Sequence, residues 1–149
     1  MEKIINIYNK VFAWIYKYTD DIFKLFVRLY VADAFFRAGW LKINSWDSTL
    51  YLFESEYQVP IIPWELAAYL ATAVEIILPI FLILGLATRL IATKLFFFNI
   101  IAVISYPVIW QSGFYDHKLW GIMLLITIIY GPGKFSIDTS ICQKLNKKL

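Results

Sequence analysis

Apolar positions in residues 1–19 follow a helical period. Ile4, Tyr8, Val11, Phe12 and Ile15 share one side, while Lys3, Lys10, Lys17 and Lys24 recur every seven residues on another. That pattern predicts an amphipathic helix whose basic face suits anionic lipid headgroups, a solvated helix against a partner being the alternative. It does not read as a signal peptide, because the apolar residues are spread out and no small-residue cleavage site follows. Four longer apolar segments come next, none with the period-two alternation of a barrel strand. The first covers residues 22–41. The second, residues 66–87, holds one charge, Glu75, and the third, residues 90–110, holds Lys94 near its start. Residues 119–130 are short of the ~20 residues a span needs, but a helix beginning near Phe114 has adequate length. Gly131-Pro132-Gly133 stops it.

The distribution of charge orients these segments. With both termini placed in the cytoplasm, Lys3, Lys10, Lys17, Lys24, Arg89, Lys94, Lys134, Lys144, Lys147 and Lys148 lie inside, and Lys42 and Lys118 outside. Ten basic residues against two is a strong positive-inside bias. The first outer loop, residues 43–63, is acidic instead. Leu50, Phe53 and Tyr57 share a face there, and "VPIIP" then forbids continuation, so the loop reads as a half-helix cap or as an ordinary loop. The expected architecture is all-α. It consists of an interfacial helix over residues 1–20, a four-helix transmembrane bundle over 21–138 with an outer half-helix cap, and a basic cytoplasmic tail over 139–149.

Composition agrees and narrows the chemistry. Of 149 residues, 60% are hydrophobic and 19% aromatic, with mean hydropathy +0.64. A soluble core of this size would leave a large apolar surface in water. The net charge is +3, and there is no basic stripe of the kind that binds nucleic acid. A single cysteine, Cys142, excludes an internal disulfide or CxxC pair, and a single histidine, His117, excludes bis-histidine haem ligation and an ordinary multi-histidine metal site. No intrinsic cofactor is expected, and the chain is poorly equipped to be a self-contained redox enzyme.

The informative residues are the ionisable groups within apolar segments. At ~1.5 Å of rise per residue, Arg37 lies about 6 Å below the outer end of the first span, Asp33 about 12 Å and Glu75 about 14 Å. Asp33 and Arg37 are i and i+4 on one helix, so Arg37 is expected to bridge Asp33 and Glu75. Arg28, on the opposite side, is expected to snorkel to headgroups, and Lys42 to mark the outer helix end. Pro79 and Pro107 cannot donate to the carbonyls of Glu75 and Val103, which predicts kinks that face protein or a watered cavity. With Asp116 and His117 at the mouth of the fourth helix, these groups imply a polar pocket open outward, lined by Trp40, Tyr106, Trp110 and Trp120. Helix pairing through ion pairs and the small residues Ala34, Ala38 and Gly39 is the structural alternative, and an interfacial belt is the alternative for the aromatics.

"RLYVADAFFRAGWLKI", "AAYLATAVEIILPIFLILGLATRLIA", "DHKLWGIMLL" and "GPGKFSID", in that order, resemble the DoxX family over residues 26–138. The resemblance implies a four-helix inner-membrane protein, with Gly39 and Lys42 ending helix one, Glu75 as the acid of helix two, and Gly85 with Arg89 at its exit. The "WDSTLYLFESEYQVPIIP" loop and "DHKLWG" resemble a subgroup encoded beside small secreted metal-binding peptides and their modification enzymes. The family takes its name from a thiosulfate:quinone oxidoreductase subunit, and other members are linked to membrane redox complexes handling thiol stress. Neither activity transfers residue by residue, so a bound quinone or a partner would have to carry electrons.

These readings converge on an accessory subunit in a bacterial inner membrane with both termini cytoplasmic. Its outward pocket would take a quinone, lipid or other lipophilic ligand, with Asp33, Arg37, Trp40, Lys42, Glu75, Tyr106, Trp110, Asp116, His117 and Trp120 as candidate ligand-binding residues. The alternative is a non-catalytic scaffold or export-assisting protein in a metal-linked peptide pathway. A transporter is disfavoured, since no inverted repeat is visible. Expected partners are the bilayer and a membrane or periplasmic redox or metal-peptide protein, with homo-oligomerisation left open.

Overall fold

The structure is a computed structural model describing residues 1–146, so Lys147 and Lys148 of the expected tail lie outside the described residues. Seven helices are present among them: α1 Glu2–Asn44, α2 Trp46–Ser55, α3 Trp64–Leu84, α4 Thr88–Ser105, α5 Ile109–Ser112, α6 Phe114–Tyr130 and α7 Ile137–Asn146. The described chain is all-α. Helices α3 and α4 are long and apolar enough to cross a membrane. Helix α6 has 17 residues, and α1 carries Arg28, Asp33, Arg37 and Lys42 where it joins the bundle, which keeps both below the same standard.

Helices α1, α3, α4 and α6 form the bundle, with α1 packed most extensively on α3 and α4 on α6. Their shared core consists of Val31, Ala32 and Phe35 from α1, Leu82 from α3, Ile91, Ala92 and Leu95 from α4, and Leu124 from α6. At one end, the cap end, α2 and the following loop pack on α3 through Phe53, Ala67 and Ala68. At the other, the strap end, residues 131–138 fold back across the helix termini.

Local chemistry explains where the helices stop. Gly85 closes α3 in the left-handed conformation, at φ 67°. Helix α4 ends at Ser105 instead of continuing to Trp110, because a residue preceding proline is pushed out of the α region. Tyr106 accordingly adopts φ −123° and ψ 92° before Pro107. Pro107 thus terminates this helix instead of kinking it. By contrast, α3 continues through Pro79, which is buried.

Two further expectations are corrected. The division placed near residue 20 is not a break, since residues 2–44 form one 43-residue helix. No Gly or Pro interrupts it before Gly39, so nothing in the backbone supplies a hinge. Arg28 does not reach headgroups: it is 1% exposed and donates from Nη1 to the Pro132 carbonyl (2.7 Å) and from Nη2 to that of Phe135 (2.5 Å). Asp138 completes this clasp, accepting hydrogen bonds from the backbone N–H of Ala87 and Thr88 at 2.7 and 2.8 Å. These N–H groups open α4 and would otherwise lack partners. Burial works to raise the Asp138 carboxyl, but the bonds from Thr88 and Ala87 and the Arg28 charge hold it below its ordinary range.

Candidate functional site

Gly39 sets the geometry of the site. A Cβ there would sit 2.8 Å from Glu75 Cβ and 3.0 Å from the Glu75 carbonyl carbon, so α1 and α3 approach backbone to backbone at Glu75. Lys42 lies one turn further along that same face of α1. Its Nζ donates to Glu75 Oε2 at 2.5 Å, with side chains 16% and 8% exposed. Glu75 therefore has a cation partner, and that partner is Lys42.

Arg37 does not bridge to Glu75. It pairs with Asp33 at 2.8 Å along α1, and both side chains are exposed, 79% and 57%. The reason is helical phase. Ala34, Ala38, Gly39 and Lys42 share the side that meets the bundle, while Asp33 and Arg37 fall on the other side. The sequence signal was present, since Lys42 lies on the small-residue face, but its place at the end of an apolar run made it look like a boundary marker.

Two adjoining cavities share the Lys42–Glu75 pair as part of their walls, together with Tyr57, Phe98 and Ala102. The first, of about 180 Å³, lies between α3 and α4 beneath the cap, against Phe53, Val59, Ile62, Ala71, Val74 and Ser105. On its flank are Leu70 and Ile101, both half exposed. The second, of about 200 Å³, lies toward α1 and α6, against Phe35, Ala38, Tyr106, Ile109, His117 and Trp120. The walls are apolar apart from a few polar groups, the usual character of a small-molecule site.

Those polar groups are specific. Ser105 Oγ is buried and has no hydrogen-bond partner. His117 Nδ1 lies 2.8 Å from Asn99 Oδ1, and Asn99 Nδ2 donates to the His117 carbonyl at 2.9 Å, which fixes the ring and leaves Nε2 as its other proton-exchanging atom. Tyr57 is sandwiched between Phe53 and Tyr106, with ring centroids 4.1 and 4.4 Å apart. The Tyr106 hydroxyl donates to Glu56 at 2.9 Å, and Gln58 N–H donates to the Ser105 carbonyl at 2.7 Å. These contacts tie the cap to the end of α4. Burial, with Glu75, Tyr106 and Glu56 nearby, pushes the Tyr57 phenol well above its ordinary value, so it remains a hydrogen-bond donor at any physiological pH.

Of the candidate residues, Lys42, Glu75, Tyr106, His117 and Trp120 come together around the second cavity. Trp40 is instead exposed and stacks on Phe36. Trp110 stacks on Phe114 in a separate groove between α4 and α6. Asp116 is exposed and lines none of these cavities. Sequence reasoning missed Tyr57, Phe98, Ala102 and Ser105 as shared or polar wall residues. Only Tyr57 had a signal, as the last aromatic on the cap's apolar face.

A family model described as DoxX matches residues 23–107, a stretch that contains Gly39, Lys42, Glu75 and Ser105 but not His117. An uncharacterized protein of Haemophilus influenzae is 31% identical over 128 residues, covering 78% of this chain and 82% of its own length. No solved structure matches.

Proposed function

The chain belongs to the DoxX family, and from that premise we propose that it is a four-span subunit of a redox-linked complex in the bacterial inner membrane. Its cavities beside Lys42 and Glu75 hold a lipophilic, quinone-like ligand. The observation that carries this reading is the buried ion pair shared by two adjoining apolar cavities. Such a pair is a costly way to join two helices, and intramembrane charges beside a cavity are functional candidates.

The spanning arrangement draws on α1 and α6 beside α3 and α4. Seventeen residues of α6 extend about 26 Å, close to the ~30 Å hydrocarbon thickness. The ten-to-two partition of basic residues supports an orientation with the cap end outside and both termini in the cytoplasm.

The residues present fit a ligand with carbonyl oxygens and an apolar body. Lys42 has three donors and spends one on Glu75. The unpartnered Ser105 hydroxyl and the Tyr57 phenol supply two more, while Phe98, Ala102 and Val74 offer walls for a ring or chain. The half-exposed Leu70 and Ile101 flank gives access from lipid. When bound, a quinone would supply the electron transfer that these side chains cannot. The chain's own part is to orient the polar end through Lys42, exclude water beneath the cap, and exchange protons at Glu75 or His117.

The test is native mass spectrometry of the full chain released from nanodiscs, with thermal stability measured against added short-chain quinone. A ligand at 100-fold its dissociation constant stabilises by about 2.7 kcal/mol. Ala102→Phe, which fills space common to both cavities, should abolish both co-purification and the shift, whereas Trp40→Phe should leave them unchanged. A parent protein with no bound small molecule and no shift sinks the proposal.

A further inference from the structure

Asp33 and Arg37 are charged, line neither cavity and are left exposed by the described residues of their own chain. On the spanning arrangement, on which this inference rests, they lie about 17 and 11 Å below the cap end of α1 at Asn44. Charges at that depth normally face protein or water. Asp33 belongs to a longer feature, which Arg37 flanks. Positions 1, 5, 8, 12, 15, 19, 22, 26, 29, 33, 36 and 40 alternate steps of four and three along the whole of α1. This is the spacing of a coiled-coil seam. Every position in the series is apolar except Thr19 and Asp33. The first seven are exposed, as are Phe26, Leu29, Asp33 and Trp40, with Phe36 half-buried. Lys3, Lys10 and Lys17 fall on the opposite side of the helix. The junction with the strap end is pinned by Lys134, whose Nζ pairs with Asp21 at 2.8 Å and whose backbone N–H donates to the same carboxylate at 3.0 Å, and no hinge residue lets the free half of α1 fold back.

We propose that a second copy of this chain covers the stripe, the two α1 helices packing in parallel along this seam. Both copies sit in one membrane in one orientation, so the two-fold axis runs along the membrane normal and the interface is isologous. The stripe is self-complementary in charge, because acid and base stand one turn apart along it. Arg37 points back toward the helix N-terminus, as helical side chains do, and reaches Asp33 of its own helix and Asp33 of the partner subunit. Four charges then satisfy one another away from lipid. A polar layer within an apolar seam also sets register, and the 3.5-residue period implies a left-handed supercoil.

The test uses full-length protein in its native membrane. On a Cys142→Ser background, single cysteines replace Phe12, Ile15, Leu29 and Phe36 on the seam, and Lys10 and Lys17 off it. Oxidative cross-linking should give at least tenfold more dimer at seam positions. Recovery in carbonate-washed membranes tests the spanning arrangement separately. A second arm co-expresses differently tagged Asp33→Lys and Arg37→Asp chains. Each has lost its own ion pair, so only contact across the interface favours mixing, and mixed dimers should predominate over the statistical half. Cross-linking without heptad preference, random mixing, or a monomer by subunit counting would overturn the proposal. The amphipathic half of α1 would then be left to an anionic lipid surface.

Discussion

Replacing Lys42 by Met removes the cation bonded to Glu75 and leaves the space nearly filled. Because the two side chains are only 16% and 8% exposed, the pair belongs with buried ion pairs. Loss of one partner there costs about 3–5 kcal/mol, against roughly 0–1 kcal/mol for a surface pair. At about 1.4 kcal/mol per factor of ten, the ratio of folded to unfolded protein should fall by roughly two to four orders of magnitude. The double replacement Lys42→Met/Glu75→Leu removes both charges together, so its stability should return to within about 1 kcal/mol of the parent or exceed it. Reversible unfolding in mixed micelles, titrated with SDS and followed by tryptophan fluorescence, measures both. Equal stability of parent and Lys42→Met would refute the reasoning, as would a double variant no better than the single one. Ligand retention separates architecture from function. A double variant that folds but carries no bound ligand assigns the pair to recognition, and one that retains ligand in full assigns it to helix packing.

Gly39→Ala should destabilise by about 1–3 kcal/mol, since the new methyl falls 0.6 Å inside the 3.4 Å of ordinary contact and meets Glu75 Cβ, which cannot rotate away; the same SDS titration reads it. The strap clasp should be acid-sensitive. Hydrogen bonds hold the folded Asp138 carboxyl below its ordinary 3.8 against the opposing effect of burial, and the bond with Lys134 lowers Asp21. The unfolded chain therefore takes up these protons first as pH falls. Their stabilisation is complete above about pH 4 and is lost as pH falls through the folded values. Melting temperature against pH should show this loss in the parent and only the part due to Asp21 in Asp138→Asn, which starts lower. Arg28→Met leaves the Pro132 and Phe135 carbonyls without their donor and should cost about 1–3 kcal/mol, with faster proteolysis near residues 131–136.

The helices were legible because apolar period, proline and glycine act locally. The start of α6 at Phe114, its stop at Gly131 and the cap helix before "VPIIP" all follow from backbone preference at a few residues. The uninterrupted α1 was not foreseen, although no breaker precedes Gly39, because its change from amphipathic to spanning character suggested two elements. Glu75 stood out as a single acid in an apolar run. Its partner did not, because Arg37 and Lys42 lie only about 8 Å apart along α1, and choosing between them needs the rotation of α1 about its axis. Burial of a small-residue face against α3 fixes that rotation, which is a property of two helices and not of either segment. The same rotation turns Asp33 and Arg37 outward and makes Arg28 a clasp for a loop more than one hundred residues away. Sequence alone determined that the four apolar segments are helical, that Gly131 stops the last of them and that ionisable groups sit within apolar runs. Tertiary structure alone decided which of those groups meet, since charge pairing depends on distances of a few ångströms that only the packing of helices sets.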